Sequence, residues 1–205
     1  IRDKIDNVFH NSNEIKECIE APLLATVPYI NQVKEITDNF GENESNRGMN
    51  FIALEAFRYI FTIIKSFKEN NNEKKVFAVT SSIPSEGKTL ISILLAKVIA
   101  LMDIKVLLID ADMRKPNLHN DLNLKNDFGL SDILLNNVDL WEKGVQVYQD
   151  NKFFEVITAG STYKDPPRLL SDNNFRNLIE SIKAKNKYDF IIINNTPLLG
   201  LSDAM

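Results

Sequence analysis

Four short apolar runs recur along the chain, each of them bounded by polar residues. They are rich in Val, Leu, Ile and Phe and lie at residues 77–79, 106–109, 153–158 and 190–193. Such runs are typical of strands that are buried on both faces of a parallel sheet. Helical patterns separate them, and strands that alternate with helices indicate an α/β fold. The pattern therefore predicts a three-layer α/β/α architecture with a mostly parallel central sheet.

The helical patterns differ in how much of their circumference is apolar. Residues 51–67 have the spacing of an amphipathic helix, with apolar side chains at Ala53, Phe57, Ile60, Ile64 and Phe67. Residues 90–101 are apolar nearly all round, which is typical of a helix buried in the core. Shorter helices are predicted over 129–136 and over 167–182. The polar residues 37–50 show no periodicity and predict a loop.

Residues 76–109 have the length and pattern of one strand–helix–strand unit. A right-handed crossover in such a unit brings the carboxyl ends of both strands to the same edge of the sheet. We expect the second strand to lie directly beside the first. Residues that follow the two strands should then meet at this edge.

The segment between the first strand and the buried helix ends in Gly87-Lys88-Thr89. This is the pattern of a phosphate-binding loop, except that Ser82 stands where the first Gly is usual. In such a loop the N–H groups of residues 85–89 surround a β-phosphate at the positive end of the helix. Lys88 reaches the β- and γ-phosphates, and the Thr89 hydroxyl ligates Mg²⁺. The predicted nucleotide-binding residues of the loop are Ser82, Ser85, Glu86, Gly87, Lys88, Thr89 and Leu90.

Two carboxylates, Asp110 and Asp112, follow the second predicted strand. An Asp-x-Asp pair after a strand is most often a solvated turn with an Asx cap. Beside a bound triphosphate, however, two carboxylates would repel the ligand unless a cation lay between them. The pair therefore indicates a Mg²⁺ site in which one carboxylate remains available to orient or deprotonate a hydroxyl.

Composition and charge narrow the classes of function. The chain has 205 residues, of which 44% are hydrophobic and 25% charged, and this is ordinary for one globular domain. The net charge of −4 argues against nucleic acid as the main partner, because no basic stripe is present to neutralise phosphates. A single cysteine, Cys18, excludes an internal disulfide. The sequence contains no run of 18 apolar residues, so it predicts no membrane-spanning helix.

Four stretches resemble the bacterial tyrosine kinases of capsule and exopolysaccharide systems, whose catalytic domain is a P-loop relative of the chromosome- and septum-partitioning ATPases. Residues 81–89 resemble the first nucleotide motif of that family. Residues 106–116, with His119, resemble its second motif, a strand followed by Asp-x-Asp-x-Arg-x-Pro. Residues 188–204 are similar to the third motif, and residues 55–58 to the start of a Glu-x-x-Arg-x-x-Arg assembly helix.

The resemblance implies a protein-tyrosine kinase of the P-loop NTPase type that binds ATP or ADP with Mg²⁺. Lys88 would bind the phosphates and Asp110 would activate the tyrosine hydroxyl. The metal would be held by Thr89, Asp112 and Asn194. Arg114 would steady the Asp-x-Asp loop or the phosphate, and Glu55 and Arg58 would serve in ring assembly.

The resemblance also implies how the chain is organised. Residues 1–36 would form a juxtamembrane linker and the first strand of the kinase domain, at 22–28. Residues 51–205 would form the kinase core without its C-terminal helix and tyrosine-rich tail, so we expect a fragment of a longer polypeptide at the cytoplasmic face of the inner membrane. The implied partners are other copies of the chain, the membrane-spanning chain-length regulator region of the same polypeptide, polysaccharide export proteins and a tyrosine phosphatase.

Two residues depart from the family pattern. Asn194 stands where the family has an Asp near the metal, and an amide brings no negative charge. Phe61 replaces the second Arg of the assembly helix. The Asn leaves a nucleotide-binding pseudokinase, acting as a scaffold, as an alternative to the enzyme. A partitioning-type ATPase is a second alternative, but its signature Lys would fall at the position of Ile83.

Overall fold

A computed structural model of the chain describes residues 14–15, 21–30, 49–69, 75–136, 138–171 and 173–198. In this part of the chain five strands form one sheet, in the order β1-β5-β2-β4-β3. The strands are β1 (Val76–Val79), β2 (Val106–Asp110), β3 (Val145–Val147), β4 (Phe154–Ile157) and β5 (Phe190–Asn194). All neighbours pair in parallel except β3 and β4. The prediction of a mostly parallel sheet is confirmed.

Six α-helices connect or flank the described strands. They are α1 (Met49–Glu69), α2 (Lys88–Ala100), α3 (Leu118–Asp121), α4 (Leu130–Asn136), α5 (Pro166–Ser171) and α6 (Asn173–Ala184). A 3₁₀ helix, Val138–Gly144, precedes β3. Helix α2 is buried over its last nine residues, as its all-round apolar pattern predicts.

The sheet separates two hydrophobic cores, because successive side chains of a strand point to opposite faces. In β2, Val106 and Leu108 belong to the core under α1 and α2. Leu107 and Ile109 belong to the other core, which includes Trp141 of the 3₁₀ helix and apolar residues of α4 and α6. The fold is therefore the expected three-layer α/β/α sandwich.

The predicted neighbourhood of β1 and β2 is wrong, because β5 lies between them and pairs with both. Burial explains the order. Every residue of β5 is buried, whereas the described residues of β1 are partly exposed. The Ile-Ile-Ile run of β5 fits a central position, where both faces are covered. The carboxyl ends of β1, β2 and β5 still share one edge, as expected.

Other expectations about elements also need correction. No strand forms over residues 21–30, and the prolines at Pro22 and Pro28 have no N–H group to donate to a sheet. Helix α1 begins two residues before the predicted position, and the predicted loop at 37–48 lies outside the described residues. The buried face of α1 includes Phe61, while Phe67 is exposed. The single helix expected over 167–182 is two helices, α5 and α6.

Candidate nucleotide and catalytic site

The candidate site lies where β1, β5 and β2 end at one edge of the sheet. Asn194, the last residue of β5, is in register with Val79 on one side and with Asp110 on the other. The phosphate loop follows β1 directly, and the Asp-x-Asp segment follows β2. Sheet pairing therefore brings all three motifs together.

The loop that precedes α2 takes its shape from two residues with left-handed backbone. Gly87 has a φ of 85° and Ser85 a φ of 69°, and Gly adopts this region without the cost that a Cβ brings. Ser82 is not among the left-handed residues, so the loop does not need Gly at that position. Instead, the N–H groups of Ser82 and Ile83 donate to one carboxylate oxygen of Glu86, at 2.7 and 3.2 Å.

Lys88 and Asp112 form an ion pair across the site. Lys88 Nζ lies 2.6 Å from Asp112 Oδ2, and the two side chains are only 13% and 6% exposed. The second oxygen of Asp112 accepts a hydrogen bond from the N–H of Lys115 at 3.2 Å. The phosphate-loop lysine and the predicted metal ligand are therefore in direct contact.

Asp110 is fully buried at the end of β2. Its Oδ1 accepts hydrogen bonds from Asn194 Nδ2 at 2.9 Å and from the Asp112 N–H at 3.2 Å. Its Oδ2 is buried without a hydrogen-bond partner in the described structure. Burial raises the pKa of Asp110 to about 7, against the lowering effect of the Asn194 hydrogen bond. A carboxyl group with this pKa is suited to proton transfer near neutral pH.

Asn194 links Asp110 to the start of α2. Its amide nitrogen lies 2.9 Å from Asp110 Oδ1 and 3.5 Å from Thr89 Oγ1. The Ser92 hydroxyl donates to the Lys88 carbonyl at 2.9 Å and lies 3.4 Å from the Asn194 amide oxygen. In this orientation the nitrogen, and not the oxygen, faces the predicted metal ligands. A direct Asn194–metal bond would therefore require the amide to turn and to lose its hydrogen bond to Asp110.

The chemistry of the donor set suits Mg²⁺ and a nucleotide phosphate. Mg²⁺ prefers oxygen ligands, and the Asp112 carboxylate and the Thr89 hydroxyl supply them. Gly87 is the N-cap of α2 and has no side-chain cap, so N–H groups at this helix end are available to an anion. Arg114 lies on the exposed part of the segment after β2. The described residues contain no group of three or more His, Cys, Asp or Glu side chains that could hold a metal by themselves.

Sequence reasoning missed three contacts that shape this site. The Glu86 carboxylate accepts hydrogen bonds from the start of the loop, and the Ser92 hydroxyl contacts the Asn194 amide oxygen. The Thr80 hydroxyl donates to the Thr196 carbonyl at 2.6 Å. Glu86 stands inside the motif, which predicts a role for its backbone N–H but not for its carboxylate. Ser92 could have been found from the sequence, because a polar residue in an otherwise apolar stretch of α2 indicates a buried polar contact. Ile83, where a partitioning ATPase would carry its signature Lys, is exposed.

Comparison with known proteins identifies the family. Residues 74–204 match the family described as an AAA domain. The tyrosine-protein kinase etk of Escherichia coli (strain K12) is 38% identical over 152 residues, which cover 74% of this chain and 20% of that protein. The structure of the kinase domain of E. coli tyrosine kinase ETK superposes with a TM-score of 0.81 at 29% identity, covering 96% of this chain and 77% of that one. The chain belongs to the bacterial tyrosine-kinase family.

A more distant structural relative was solved with a nucleotide and a metal bound. The septum site-determining protein MinD of Pyrococcus horikoshii, solved in complex with Mg-ADP, superposes with a TM-score of 0.54 at 25% identity. The match covers 64% of this chain and 52% of MinD. The bacterial tyrosine-kinase fold of this chain is thus shared with a protein that binds a nucleotide and a metal. No helix in the described ranges is long and apolar enough to cross a membrane.

Proposed function

We propose that this chain is the catalytic domain of an ATP- and Mg²⁺-dependent protein-tyrosine kinase that acts in exopolysaccharide or capsule chain-length control and export. Because the chain spans only a fifth of the E. coli kinase that it matches, the activity of the whole protein belongs to this proposal. The observation that carries it is the convergence of Lys88, Asp112 and the buried Asp110 at one edge of the sheet.

Each residue has a distinct part in the proposed reaction. Bound Mg²⁺ and ATP supply charge neutralisation and the transferable phosphoryl group. Lys88 and the N–H groups of residues 85–90 bind the phosphates, and Thr89 and Asp112 hold the metal. Asp110 accepts the proton of the acceptor tyrosine at Oδ2, which has no hydrogen-bond partner in the described structure. Arg114 steadies the segment after β2 or the phosphate.

The proposed setting follows from the resemblance of the four motifs. The domain would work at the cytoplasmic face of the inner membrane, joined to a membrane-spanning chain-length regulator region of the same polypeptide. Other copies of the chain, export proteins and a tyrosine phosphatase would be its partners. Glu55 and Arg58 would contribute to contacts between copies.

Phosphoryl transfer by the 205-residue chain to a tyrosine-rich peptide, read with an anti-phosphotyrosine antibody, tests the proposal. We expect Asp110→Asn to lower the rate at least about 100-fold, because general-base catalysis typically contributes 10²–10⁴-fold, while ADP affinity changes little. Lys88→Met should instead weaken ADP binding. Asp150→Asn, in an exposed turn, is the matched control and should leave both measurements unchanged.

The alternative function is a nucleotide-binding scaffold without kinase activity. The Asn194 amide favours it, because it brings no charge to the metal site and holds Asp110 through a hydrogen bond. Nucleotide binding together with no transfer to any tyrosine, in the unmodified protein and in Asn194→Asp, would establish the scaffold and reject the enzyme.

A further inference from the structure

The Lys88–Asp112 pair joins two residues that the proposed function assigns to different ligands. Lys88 is needed at the nucleotide phosphates and Asp112 at the metal, yet Lys88 Nζ and Asp112 Oδ2 are 2.6 Å apart. Both side chains are mostly removed from water. Asp110, by contrast, receives hydrogen bonds from the neutral N–H groups of Asn194 and Asp112.

We propose that the Asp112 carboxylate alternates between two cations, the Lys88 ammonium and Mg²⁺. When a nucleotide binds, Asp112 exchanges its contact with Lys88 for a contact with the metal. The inference rests on the proposed nucleotide site and adds a coupling between its two ligands. Phosphate and Asp112 compete for Lys88, and Lys88 and Mg²⁺ compete for Asp112.

Electrostatics requires the exchange. A nearly buried carboxylate that loses its cationic partner is strongly unfavourable, and the remaining Lys115 N–H donor is neutral. When Lys88 turns to a phosphate, Asp112 therefore needs another cation. Conversely, the ammonium against Asp112 Oδ2 disfavours the approach of Mg²⁺, because the two cations repel each other. Each ligand consequently favours the other, and such coupling is reciprocal in free energy.

When metal is removed, the Lys88–Asp112 ion pair competes with nucleotide binding, because Asp112 keeps Lys88 from the phosphates. In EDTA, Asp112→Asn should tighten ADP binding by about 3- to 10-fold, because Lys88 is released for the phosphates. The same variant should lose most of the gain in ADP affinity that Mg²⁺ gives the unmodified protein. Dissociation constants from NMR titration, which extends to millimolar affinity, measure both effects without relying on catalysis.

A simpler explanation for tighter binding is that Asp112 repels phosphate through space. A double-mutant cycle with Lys88→Met separates the two. Under the alternation, Asp112→Asn tightens metal-free ADP binding only when Lys88 is present and changes it by less than about twofold beside Lys88→Met. Glu180→Gln, an exposed change of the same charge on α6, is the control and should have no effect.

Three results would overturn the alternation. They are equal tightening by Asp112→Asn with and without Lys88, no tightening in either background, and a gain from Mg²⁺ that survives in Asp112→Asn. In each of these the nucleotide site itself stands. If the unmodified chain binds no ADP with or without Mg²⁺, the proposed function fails as well, so the two failures are distinguishable. Melting temperatures of all variants establish that each is folded.

Discussion

Asn194 donates its amide N–H to Asp110 at the end of β5, where the resemblance of the third motif implies an Asp. The amide stabilises Asp110 without adding charge, and its oxygen lies 3.4 Å from the Ser92 hydroxyl. A carboxylate at this position would place two acidic groups against each other at the buried end of the sheet. An amide at residue 194 therefore favours the metal-free site over a carboxylate at the same position.

We expect Asn194→Asp to destabilise the metal-free chain by about 1–3 kcal/mol, because Asp110 loses a donor and gains a like charge. Two adjacent carboxyl groups share a proton, so one apparent pKa of the pair in the folded chain lies above the value in the unfolded chain. The folded state then binds more protons, and its stability falls as pH rises. The destabilisation should be greater at pH 8 than at pH 6.

Thermal unfolding in EDTA and in Mg²⁺ measures this prediction. Mg²⁺ should restore the stability of Asn194→Asp, because the ion neutralises the added carboxylate, and should stabilise the unmodified chain less. Asn195→Asp is the control, since its carboxylate can still accept the N–H of Thr196 as Asn195 Oδ1 does. Equal losses in the two variants, or no recovery in Mg²⁺, would contradict the assignment of residue 194 to the metal site.

At the residue scale, the sequence predicts which residues meet but not how they pair. Lys88, Thr89, Asp110, Asp112 and Asn194 come together because each stands at the end of an element whose type the sequence indicates. The Lys88–Asp112 ion pair and the orientation of the Asn194 amide depend on side-chain torsions and on neighbours such as Ser92. No spacing rule contains that information.

At the element scale, β5 is central because its residues are apolar enough to be buried on both faces. The apolar runs predict the existence and type of four of the five strands. The insertion of β5 between β1 and β2 is a long-range choice, since more than 90 residues separate β1 from β5. The short antiparallel strand β3, Val-Gln-Val, alternates and is partly exposed, so it produces no apolar run.

A close backbone contact joins α4 to the end of β4. The N–H groups of Leu130 and Ser131 donate to the carbonyls of Thr158 and Ala159, at 2.8 and 2.9 Å. Asp132 Oδ2 accepts from the N–H groups of Gly129 and Ser161, at 2.9 and 3.0 Å. These hydrogen bonds lower the pKa of Asp132 in spite of partial burial, which acts in the opposite direction. The junction leaves no room for a side chain at Gly129.

We expect Gly129→Ala to cost at least about 2 kcal/mol of folding stability, because overpacking against rigid neighbours strains the fold. A Cβ at residue 129 would lie 2.3 Å from the Thr158 carbonyl oxygen and 2.4 Å from the Gly160 nitrogen, and both are backbone atoms. Gly144→Ala is the matched control, since its Cβ would meet the end of the Ile133 side chain at 2.9 Å. That side chain can move, so the control should lose less than about 1.5 kcal/mol.

Chemical denaturation of the two variants gives the comparison. Similar midpoints for Gly129→Ala and Gly144→Ala would show that the segment after β4 can shift to accommodate a methyl group. The junction would then be a loose contact, and α4 would not be anchored to the carboxyl edge of the sheet.

At the scale of the whole molecule, one face of α1 covers the sheet. Its other face is exposed and carries both charged and aromatic side chains. Phe61 is buried and packs edge-on against Phe190, with ring centroids 5.4 Å apart. Glu55 and Arg58 lie on the exposed face, paired at 2.6 Å and half exposed at 49% and 48%. The exposed aromatic side chains Phe51 and Tyr59 flank this pair.

Because residue 61 is buried, its side chain is not on the surface of α1 that could contact another copy of the chain. An Arg at residue 61 would bury a guanidinium beside Phe190, and a buried unpaired charge is strongly destabilising. Phe61→Arg should therefore lower the folding stability of this chain, and that loss would oppose any gain in contacts between copies. Of the three positions in the proposed assembly motif, Glu55 and Arg58 are exposed.

We expect Arg58→Ala to shift the chain toward monomer in sedimentation velocity while its melting temperature stays the same. An exposed ion pair one helical turn apart contributes only about 0.2–1 kcal/mol to a fold, so a large effect must come from contacts between copies. Lys183→Ala is the control, because Lys183 and Glu180 form a pair with the same i,i+3 spacing on α6, with Nζ and Oε1 3.0 Å apart and side chains 29% and 62% exposed. If the unmodified chain is monomeric at every concentration, with and without nucleotide, or if Lys183→Ala has the same effect, the Glu55–Arg58 face has no role in assembly.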